Sequence, residues 1–326
     1  MSILVTEETE AAVSPAAGNI VHVETRFSIV HDALVNERSH RDDAIDQFLA
    51  ALYSAFGDFR VDGPDNEPLD VRILNTLTAM KPLRDYFLEF VNLANKADRR
   101  NDIHSVIRPF LGTLLAYKHA PREVIHFNHL WCDHYRFVLR ELFIHVIASL
   151  IVDCNYEEAR KYLEAEYLFE TDRGPQRANF LKFDAYIKSI DEFQTRRLRQ
   201  QRLSPAADLL KARADRSFVS FGDIMQADFL LCIRGLMHHQ KGLARWFPST
   251  LIYAQEFEKT GFDLFFAAQS KKKFQPIHVL LDVRNKKDLL QRFEQVSKDC
   301  SLAQWKLGEV PIPFDRYMGL AALATA

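Results

Sequence analysis

The chain has 326 residues and a formal net charge of −2. That length allows one large domain or two ordinary ones, and the 48% hydrophobic content suffices for a substantial core. The balanced charge excludes a protein that binds nucleic acid or membranes through its net charge alone. With 11 glycines and 25 phenylalanines, the composition favours long helices over many strands joined by tight turns.

The cysteines and the N-terminal sequence bear on the cellular compartment. The four cysteines lie far apart, without a Cys-x-x-Cys pair, at Cys132, Cys154, Cys232 and Cys300. This spacing excludes the usual zinc ribbon and provides no disulfide framework. Residues 1–15 have neither the basic region nor the uninterrupted apolar segment of a secretory signal. We therefore expect a reduced, cytoplasmic protein.

The most apolar stretch of the chain covers residues 127–154. From Leu139 to Val152, apolar residues occur at almost every helical angle, which predicts a helix that is buried on all sides. The stretch is too short and too interrupted by Arg140 and His145 to cross a membrane, which requires about 20 apolar residues. We predict a mainly α-helical, multi-helix domain around this central helix, and no membrane association.

Apolar spacing and turn residues predict helices on both sides of the central one. They are expected within residues 39–57, 69–80, 82–94, 103–117, 155–169, 180–203 and 221–239. The short apolar runs of residues 246–284 fit either a few short strands or a compact helical pair. A helix at Lys286–Cys300 follows them.

These elements suggest three segments. Residues 1–20 are expected to form a loose tail and residues 21–170 a helical domain. Residues 171–326 are expected to form a helical to mixed α/β portion, either as its own domain or continuous with the preceding one. The fold class is therefore mainly α, with a small mixed α/β portion near the C-terminus.

One candidate catalytic motif is Arg-x-x-x-x-His, which occurs three times and once within the central helix, at Arg140 and His145. All-helical RNases of the HEPN class carry this spacing on a helix. There the arginine can stabilise the transition-state phosphate and the histidine can act on the 2′-hydroxyl, without a metal ion. The other two copies are Arg99–His104 and Arg234–His239.

A structural interpretation of the same residues is favoured over the catalytic one. An arginine in so apolar a helix requires an internal partner, because an unpaired buried charge is costly. Pairs of Glu141 with His145, or of Asp133 with Arg136, would be internal ion pairs of a buried helix.

Histidines near the start of the central helix are candidate metal ligands. His126, His129 and His134 cluster there, and His134, Glu141 and His145 share one helical face. No second half-site of paired carboxylates accompanies them, so the pattern does not support a di-iron bundle. We predict no metal site and no cofactor.

A basic stretch is the candidate nucleic-acid interface. It comprises Arg196, Arg197, Arg199, Arg202, Lys211, Arg213 and Arg216, with Lys271, Lys272 and Lys273 as further candidates. These cations either bind phosphates, with release of counterions, or form a solvated helix face. The glycine-poor chain has no Walker or dinucleotide-binding loop, and it has no nucleophile elbow.

Four segments carry a resemblance to other proteins. They are MKPLRDYFLEFVNLANK (80–96), YRFVLRELFIHVIASLIVDCNYEEARKYL (135–163), IMQADFLLCIRGL (224–236), and WFPSTLIYAQ with FDLFFAAQSKKKF (246–274). Their apolar and aromatic positions resemble a helical region that accompanies effector or ATPase domains in bacterial conflict proteins of anti-phage and restriction type. The resemblance implies a sensing, scaffolding or oligomerising role and carries over no functional residues.

Three hypotheses follow for the function. The first is a non-catalytic interaction or regulatory protein, in bacterial defence, that works with a separate effector as its protein partner. The second is a metal-independent RNase that uses Arg140 and His145, with two copies paired as a homodimer. The third is a nucleic-acid-binding protein that uses the basic stretch. The first is favoured because no strong catalytic constellation is present.

Overall fold

The computed structural model describes residues 15–61, 66–97, 102–120, 126–199, 201–214, 219–238, 245–254, 261–270, 273–302, 305–307 and 310–325. Within these ranges the fold is mainly α-helical, as predicted. The chain separates into two compact units, Met1–Arg60 and Val61–Ala326. None of the described helices is long and apolar enough to cross a membrane.

The first unit is a pair of antiparallel helices, α1 (Pro15–Val35) and α2 (Arg41–Gly57). The rings of Phe27 and Phe48 lie 5.7 Å apart between the two helices. Helix α1 begins inside the segment that was expected to be a loose tail, and residues 1–14 of that tail lie outside the described residues.

The second unit contains the remaining elements. Its first helices are α3 (Leu69–Ala79), α4 (Lys81–Ala97), α5 (Asp102–Leu114), α6 (Asp133–Val152) and α7 (Tyr156–Glu164). After the hairpin of β1 (Tyr167–Thr171) and β2 (Gly174–Ala178) come α8 (Thr195–Leu198), α9 (Pro205–Ala214), α10 (Phe221–Met237), α11 (Asp263–Ala267), α12 (Gln275–Leu281) and α13 (Lys286–Asp299). Strands β3 (Lys306–Leu307) and β4 (Val310–Pro311) and helices α14 (Phe314–Tyr317) and α15 (Leu320–Thr325) complete it.

Helix α6 is the buried central helix that the sequence predicts. Of its 20 residues, 17 are buried, including the charged Arg140 and Glu141. The ring of Phe143 stacks on Phe183 with centroids 4.4 Å apart, and it lies 6.1 Å from the indole of Trp246. Because α6 is covered on every side, each polar group on it must be satisfied by a neighbouring element.

The antiparallel β1–β2 hairpin corrects one sequence prediction. Residues 167–169 were expected to continue the helix after residue 155, but they form part of β1. Burial alternates along β1, since Tyr167 and Phe169 are buried whereas Leu168 is exposed. A burial pattern that repeats every two residues fits a strand and does not fit a helix. Gly174 begins β2 with φ +94°, a conformation that glycine adopts without steric cost.

The prediction of one long helix over residues 180–203 is also wrong. The chain instead forms a 3-10 helix at Phe180–Phe183, residues 184–187 without regular secondary structure, a π-helix at Ser189–Gln194 and the short α8. Asp184 of the irregular segment and the backbone amide of Ser189 both make polar contacts with α6.

The described part of residues 246–284 is helical, so the helical alternative for this region is the one observed. It contains a 3-10 helix at Ser249–Tyr253, α11 and α12. The helix expected at Lys286–Cys300 is present as α13, and the side chain of Asn285 accepts a hydrogen bond from the Asp288 amide at 3.0 Å as its N-cap. The strands of the predicted mixed α/β portion are the β1–β2 hairpin and the short strands β3 and β4.

Helix α5 supports the β1–β2 hairpin through a close backbone contact. A Cβ atom at Gly112 would lie 3.0 Å from the backbone oxygen of Leu168 and 3.2 Å from its nitrogen. The absence of a side chain at Gly112 therefore allows α5 to approach β1 closely. This contact positions the hairpin that forms one wall of the cavity described below.

Candidate functional site

Arg140 of the candidate RNase motif is buried in a polar network. Its Nη2 lies 2.8 Å from Asp228 Oδ1 and donates to the backbone oxygen of Phe247 at 2.7 Å. Its Nη1 forms an ion pair with Asp184, and its guanidinium lies over Trp246 at 4.8 Å from the ring centroid. The sequence argument that Arg140 needs an internal partner is confirmed.

Asp228 of α10 is the centre of this network. Its Oδ1 accepts from Trp246 Nε1 at 2.7 Å in addition to Arg140. Its Oδ2 accepts from the backbone amide of Thr250 at 3.1 Å and from the Thr250 hydroxyl at 2.7 Å. One fully buried carboxylate thus joins α6, α10 and the 3-10 helix at Ser249–Tyr253.

His145 points to a different neighbour. Its Nδ1 donates to the backbone oxygen of Glu141 at 2.7 Å, and its Nε2 accepts from Arg84 Nη2 at 3.3 Å, an assignment that follows from the partners. Burial and the charge of Arg84 lower the pKa of His145 to about 4, so the ring is neutral at neutral pH. Arg140 thus pairs toward α10 and His145 toward α4, and the structure does not bring the two together.

Glu141 holds a second buried network. Its carboxylate makes a two-point ion pair with Arg213, with Nε–Oε1 at 2.7 Å and Nη2–Oε2 at 2.9 Å. Arg84 Nε lies 3.2 Å from Oε1. Burial opposes ionisation of Glu141, but the charges of Arg213 and Arg84 outweigh it and lower the pKa to about 2. Of the two ion pairs considered from the sequence, Asp133–Arg136 is present at 2.9 Å. The Glu141 carboxylate pairs with Arg213 and Arg84 instead of His145, whose ring contacts the Glu141 backbone oxygen.

The six residues predicted to bind nucleic acid do not form one surface. The exposed ones are Arg196, Arg197, Arg199 and Arg202, whereas Lys211 is half-buried over the ring of Tyr253 and Arg213 is buried against Glu141. Three of the exposed arginines have carboxylate partners, in the pairs Arg196–Glu192, Arg197–Asp70 and Arg202–Asp208. Arg216, Lys271 and Lys272 lie outside the described residues.

The described residues of the other two Arg-x-x-x-x-His copies and of the histidine cluster do not come together in a catalytic or metal site. Arg99 and His239 lie outside the described residues, while His104 is buried between Tyr162 and Asn95, at 2.9 and 2.8 Å. His134 is buried within α6, and its ring lies 4.0 Å from that of Tyr135. Among the residues that the structure describes, no group of three or more His, Cys, Asp and Glu could hold a metal ion.

A cavity of about 1000 Å³ lies beside the β1–β2 hairpin, and we call it the hairpin cavity. Its walls come from four stretches: residues 118–120, 127–136, 169–179 and 181–186. Five cations line it, namely Lys118, Arg136, Arg173, Arg177 and Lys182, against the carboxylates of Asp172 and Asp184. Aromatic rings line it as well, from His119, Phe127, His129, Phe169 and Tyr186.

Lys118 is the buried cation of this cavity. Its Nζ donates to the backbone oxygens of Lys182 at 2.5 Å and of Asp184 at 3.4 Å. Burial, with the charges of Lys182 and Arg136, lowers the pKa of Lys118 to about 7. The ammonium therefore lies among carbonyl dipoles and like charges, and an anion in the cavity would favour its charged form.

Two other residues connect the hairpin cavity to the core. Arg136 donates from Nη1 to Asp133, whose other oxygen accepts from the Ser189 amide at 2.9 Å, so the guanidinium is anchored at one edge. Asp184 pairs with Arg140 and accepts from the Phe247 amide at 3.1 Å. The carboxylate of Asp184 is thus already engaged by the buried network.

Sequence reasoning missed the hairpin cavity, although two local signals were available. The pairs Lys118–His119 and Arg173–Arg177 each put basic residues beside predicted breaks in helices. Neither pair is unusual alone, and only the hairpin brings them to the same place. Comparison of the chain with protein-family models, with curated proteins and with solved structures gave no match, so function must be argued from these sites.

Proposed function

We propose that this chain is a non-catalytic interaction or regulatory protein that works with a separate effector. The observation that carries the proposal is that Arg140 and His145 are bonded to different partners on different elements. Arg140 pairs with Asp228 and Asp184, whereas His145 accepts from Arg84. These polar groups stabilise the core and are already bonded to other parts of the chain.

Catalysis by this motif would require a large rearrangement. Both side chains would have to reach one phosphodiester, since arginine stabilises its charge and histidine moves its proton. Removing Arg140 from Asp228 would leave a buried carboxylate without its cation, which typically costs about 3–5 kcal/mol. The geometry therefore supports binding and assembly over RNA cleavage.

The resemblance to helical regions of bacterial conflict proteins supplies a biological setting for the proposal. In that setting the chain would act in antiviral defence in the cytoplasm, and its partner would be a separately encoded effector protein. A homodimer is the second arrangement that we propose. Light scattering of the pure protein over a hundredfold concentration range distinguishes a monomer, which fits the effector arrangement, from a dimer.

A cleavage assay tests the proposal. The purified protein is incubated with labelled single-stranded RNA and with duplex DNA, with and without EDTA. We expect no cleavage of either substrate. Cleavage that survives EDTA and disappears in a folded His145→Asn variant would overturn the proposal in favour of the RNase. This variant is preferable to Arg140→Ala, since losing Arg140 removes the partner of two carboxylates and threatens folding.

A second candidate function is nucleic-acid binding by the exposed part of the basic stretch. The favouring observation is that Arg196, Arg197, Arg199 and Arg202 are all exposed within seven consecutive positions. Binding of duplex DNA that weakens steeply with salt would support it, because each phosphate contact releases counterions. The matched test is a triple Arg196→Gln, Arg199→Gln and Arg202→Gln variant, which should lose this binding. Binding that is independent of salt would contradict it.

A further inference from the structure

We infer that the hairpin cavity binds a phosphorylated nucleoside, with its phosphates on Lys118, Arg136 and Lys182 and its base against the aromatic wall. The inference goes beyond the proposed function, because it assigns a ligand class to a cavity that is lined neither by Arg140 and His145 nor by the basic stretch. It rests on the charge, aromatic composition and size of the cavity.

The charge of the cavity favours a multiply anionic ligand. Five cations face two carboxylates, and one of these carboxylates, Asp184, is already paired with Arg140. Arg177 also has an outside partner in Glu166, at 3.2 Å on the surface. Arg136 likewise has a carboxylate partner in Asp133, at 2.9 Å. The excess positive charge is therefore concentrated on Lys118, Arg173 and Lys182, beside the anchored guanidinium of Arg136. Phosphate groups are the ligands that such clusters recognise with directional, charge-assisted hydrogen bonds.

Two of these cations are held in place before any ligand arrives. Arg136 is fixed through Asp133, and Lys118 is fixed by the carbonyl oxygens of Lys182 and Asp184. A preorganised cation loses less side-chain entropy on binding than a free surface lysine does. Lys118 is also buried among like charges, so an entering anion would relieve their repulsion.

The aromatic wall favours a base in addition to phosphates. The ring of His119 stacks on Phe169 with centroids 5.5 Å apart. Phe127 is half-buried, and Tyr186 at the rim is 61% exposed. Every nucleobase has a flat π face, so aromatic rings beside a cationic groove bind nucleotides without requiring a particular base.

The size of the cavity and the absence of a glycine-rich loop define how the ligand is held. About 1000 Å³ is at the upper end of the range for small-molecule sites and accommodates a nucleotide. The chain has no Walker or dinucleotide loop, so backbone amides of such a loop do not cradle the phosphates. Side-chain cations from four separate stretches would do so.

Isothermal titration calorimetry of the full chain tests the inference with four probes: ATP, adenosine, sodium tripolyphosphate and a 5′-phosphorylated ten-nucleotide RNA. We expect ATP to bind at least tenfold more tightly than either adenosine or tripolyphosphate, since each of those lacks one half of the recognised chemistry. The RNA distinguishes the source of the ligand. Binding of RNA tenfold tighter than that of ATP would assign the site to a nucleic-acid terminus, and the reverse would assign it to a free nucleotide.

Variants locate the binding site. Arg173→Gln with Lys182→Gln removes two exposed cations and should weaken ATP binding tenfold or more with little effect on folding. Tyr186→Leu should weaken ATP binding severalfold and leave tripolyphosphate binding unchanged. Lys298→Gln is the matched control, because it removes an exposed cation of α13 outside both the cavity and the basic stretch and should change nothing. Arg136→Gln should act like the double variant, with its melting temperature measured because it also leaves Asp133 unpaired.

Several outcomes would overturn the inference. If ATP, tripolyphosphate and the RNA all fail to bind at millimolar concentration, the cavity is not a phosphate or nucleotide site. Equal affinity for ATP and tripolyphosphate would show that the base is not part of the recognised ligand. Equal weakening by Lys298→Gln would show that binding occurs outside the cavity. Recovery of the ATP after titration shows whether it was hydrolysed. Hydrolysis would contradict the non-catalytic proposal while leaving the binding inference intact.

Discussion

Glu141 and Arg213 form a two-point ion pair in the core although they are 72 positions apart in the sequence. The pair joins the central helix to α9, and Arg84 of α4 shares the same carboxylate. The single negative charge of Glu141 is thus shared between two buried guanidinium groups. The stability of the second unit should therefore depend strongly on Glu141.

The first prediction concerns the substitution Glu141→Gln. It leaves Arg213 buried without its carboxylate partner and leaves Arg84 with Asp85 as its remaining carboxylate, at 2.6 Å, and we expect the free energy of unfolding to fall by about 3–5 kcal/mol. Urea denaturation followed by circular dichroism measures this change. The control Glu157→Gln affects a largely exposed carboxylate on α7 and should cost less than about 1 kcal/mol. A loss below about 1 kcal/mol for Glu141→Gln would show that the network contributes little.

The second prediction is a decline in stability as pH falls from 6.5 toward 4. Burial lowers the pKa of His145 to about 4, with Arg84 adding to the effect, and burial lowers that of His104 to about 4, with Arg108 and Lys161 adding. Unfolding returns each ring to its ordinary pKa of 6.5, so the unfolded chain binds more protons in this range. The contribution of each histidine is full above pH 6.5 and is lost as pH falls toward 4.

Denaturation curves at pH 7, 6, 5 and 4 measure this dependence. Each histidine should contribute up to about 1.4 kcal/mol per pH unit to the slope. The variant His104→Gln should be less stable at pH 7 but should show a shallower decline below pH 6.5. A variant with the same slope as the parent would contradict a neutral, buried His104.

The third prediction concerns Asp228→Asn. The carboxylate accepts from Arg140, Trp246 and both donors of Thr250, and an amide can neither neutralise Arg140 nor accept all of these bonds. We expect a loss of about 3–5 kcal/mol in the free energy of unfolding. The control Asp315→Asn changes an exposed aspartate at the start of α14 and should stay within about 1 kcal/mol of the parent. Similar values for the two variants would count against a central role for Asp228.

The fourth prediction is that two glycine-to-alanine substitutions change stability in opposite directions. A Cβ at Gly112 would lie 3.0 Å from a β1 carbonyl oxygen, so Gly112→Ala must displace the hairpin and should cost about 1–3 kcal/mol. Gly18 in α1 has nothing within 4 Å of such an atom, and Gly18→Ala should add about 0.5–1 kcal/mol through helix propensity. Thermal unfolding of both variants provides the measurement. A neutral Gly112→Ala would show that the contact is not tight.

The central helix could be predicted because its signal is local. Residues 139–152 carry apolar side chains at almost every helical angle, and that pattern alone implies burial. The requirement that Arg140 have a partner followed from the cost of an isolated buried charge. Which partners it has could not be inferred, since Asp184 and Asp228 are distant in sequence and neither is distinguished by its neighbours.

The hairpin was missed because its sequence imitates a helix. Residues 156–169 contain Glu, Ala, Arg and Leu at helical spacing, and the alternation in β1 covers only five positions. Strand β2 contains Pro175 and no β-branched residue, so strand propensity did not indicate it. Prediction of the hairpin cavity depends on this hairpin, and so the cavity could not be predicted either.

The three tryptophans give the molecule built-in optical reporters. Trp246 is 1% exposed and bonded to Asp228 beside Arg140, so its emission should shift to longer wavelength only when the core opens to water. Trp131 is half-buried, and its ring lies edge-on to Phe127 in the cavity wall, 5.9 Å away. A base that stacks on Phe127 would alter the emission of Trp131 and leave that of Trp246 unchanged. Intrinsic fluorescence can therefore follow occupancy of the cavity and integrity of the core in one sample, without an attached dye.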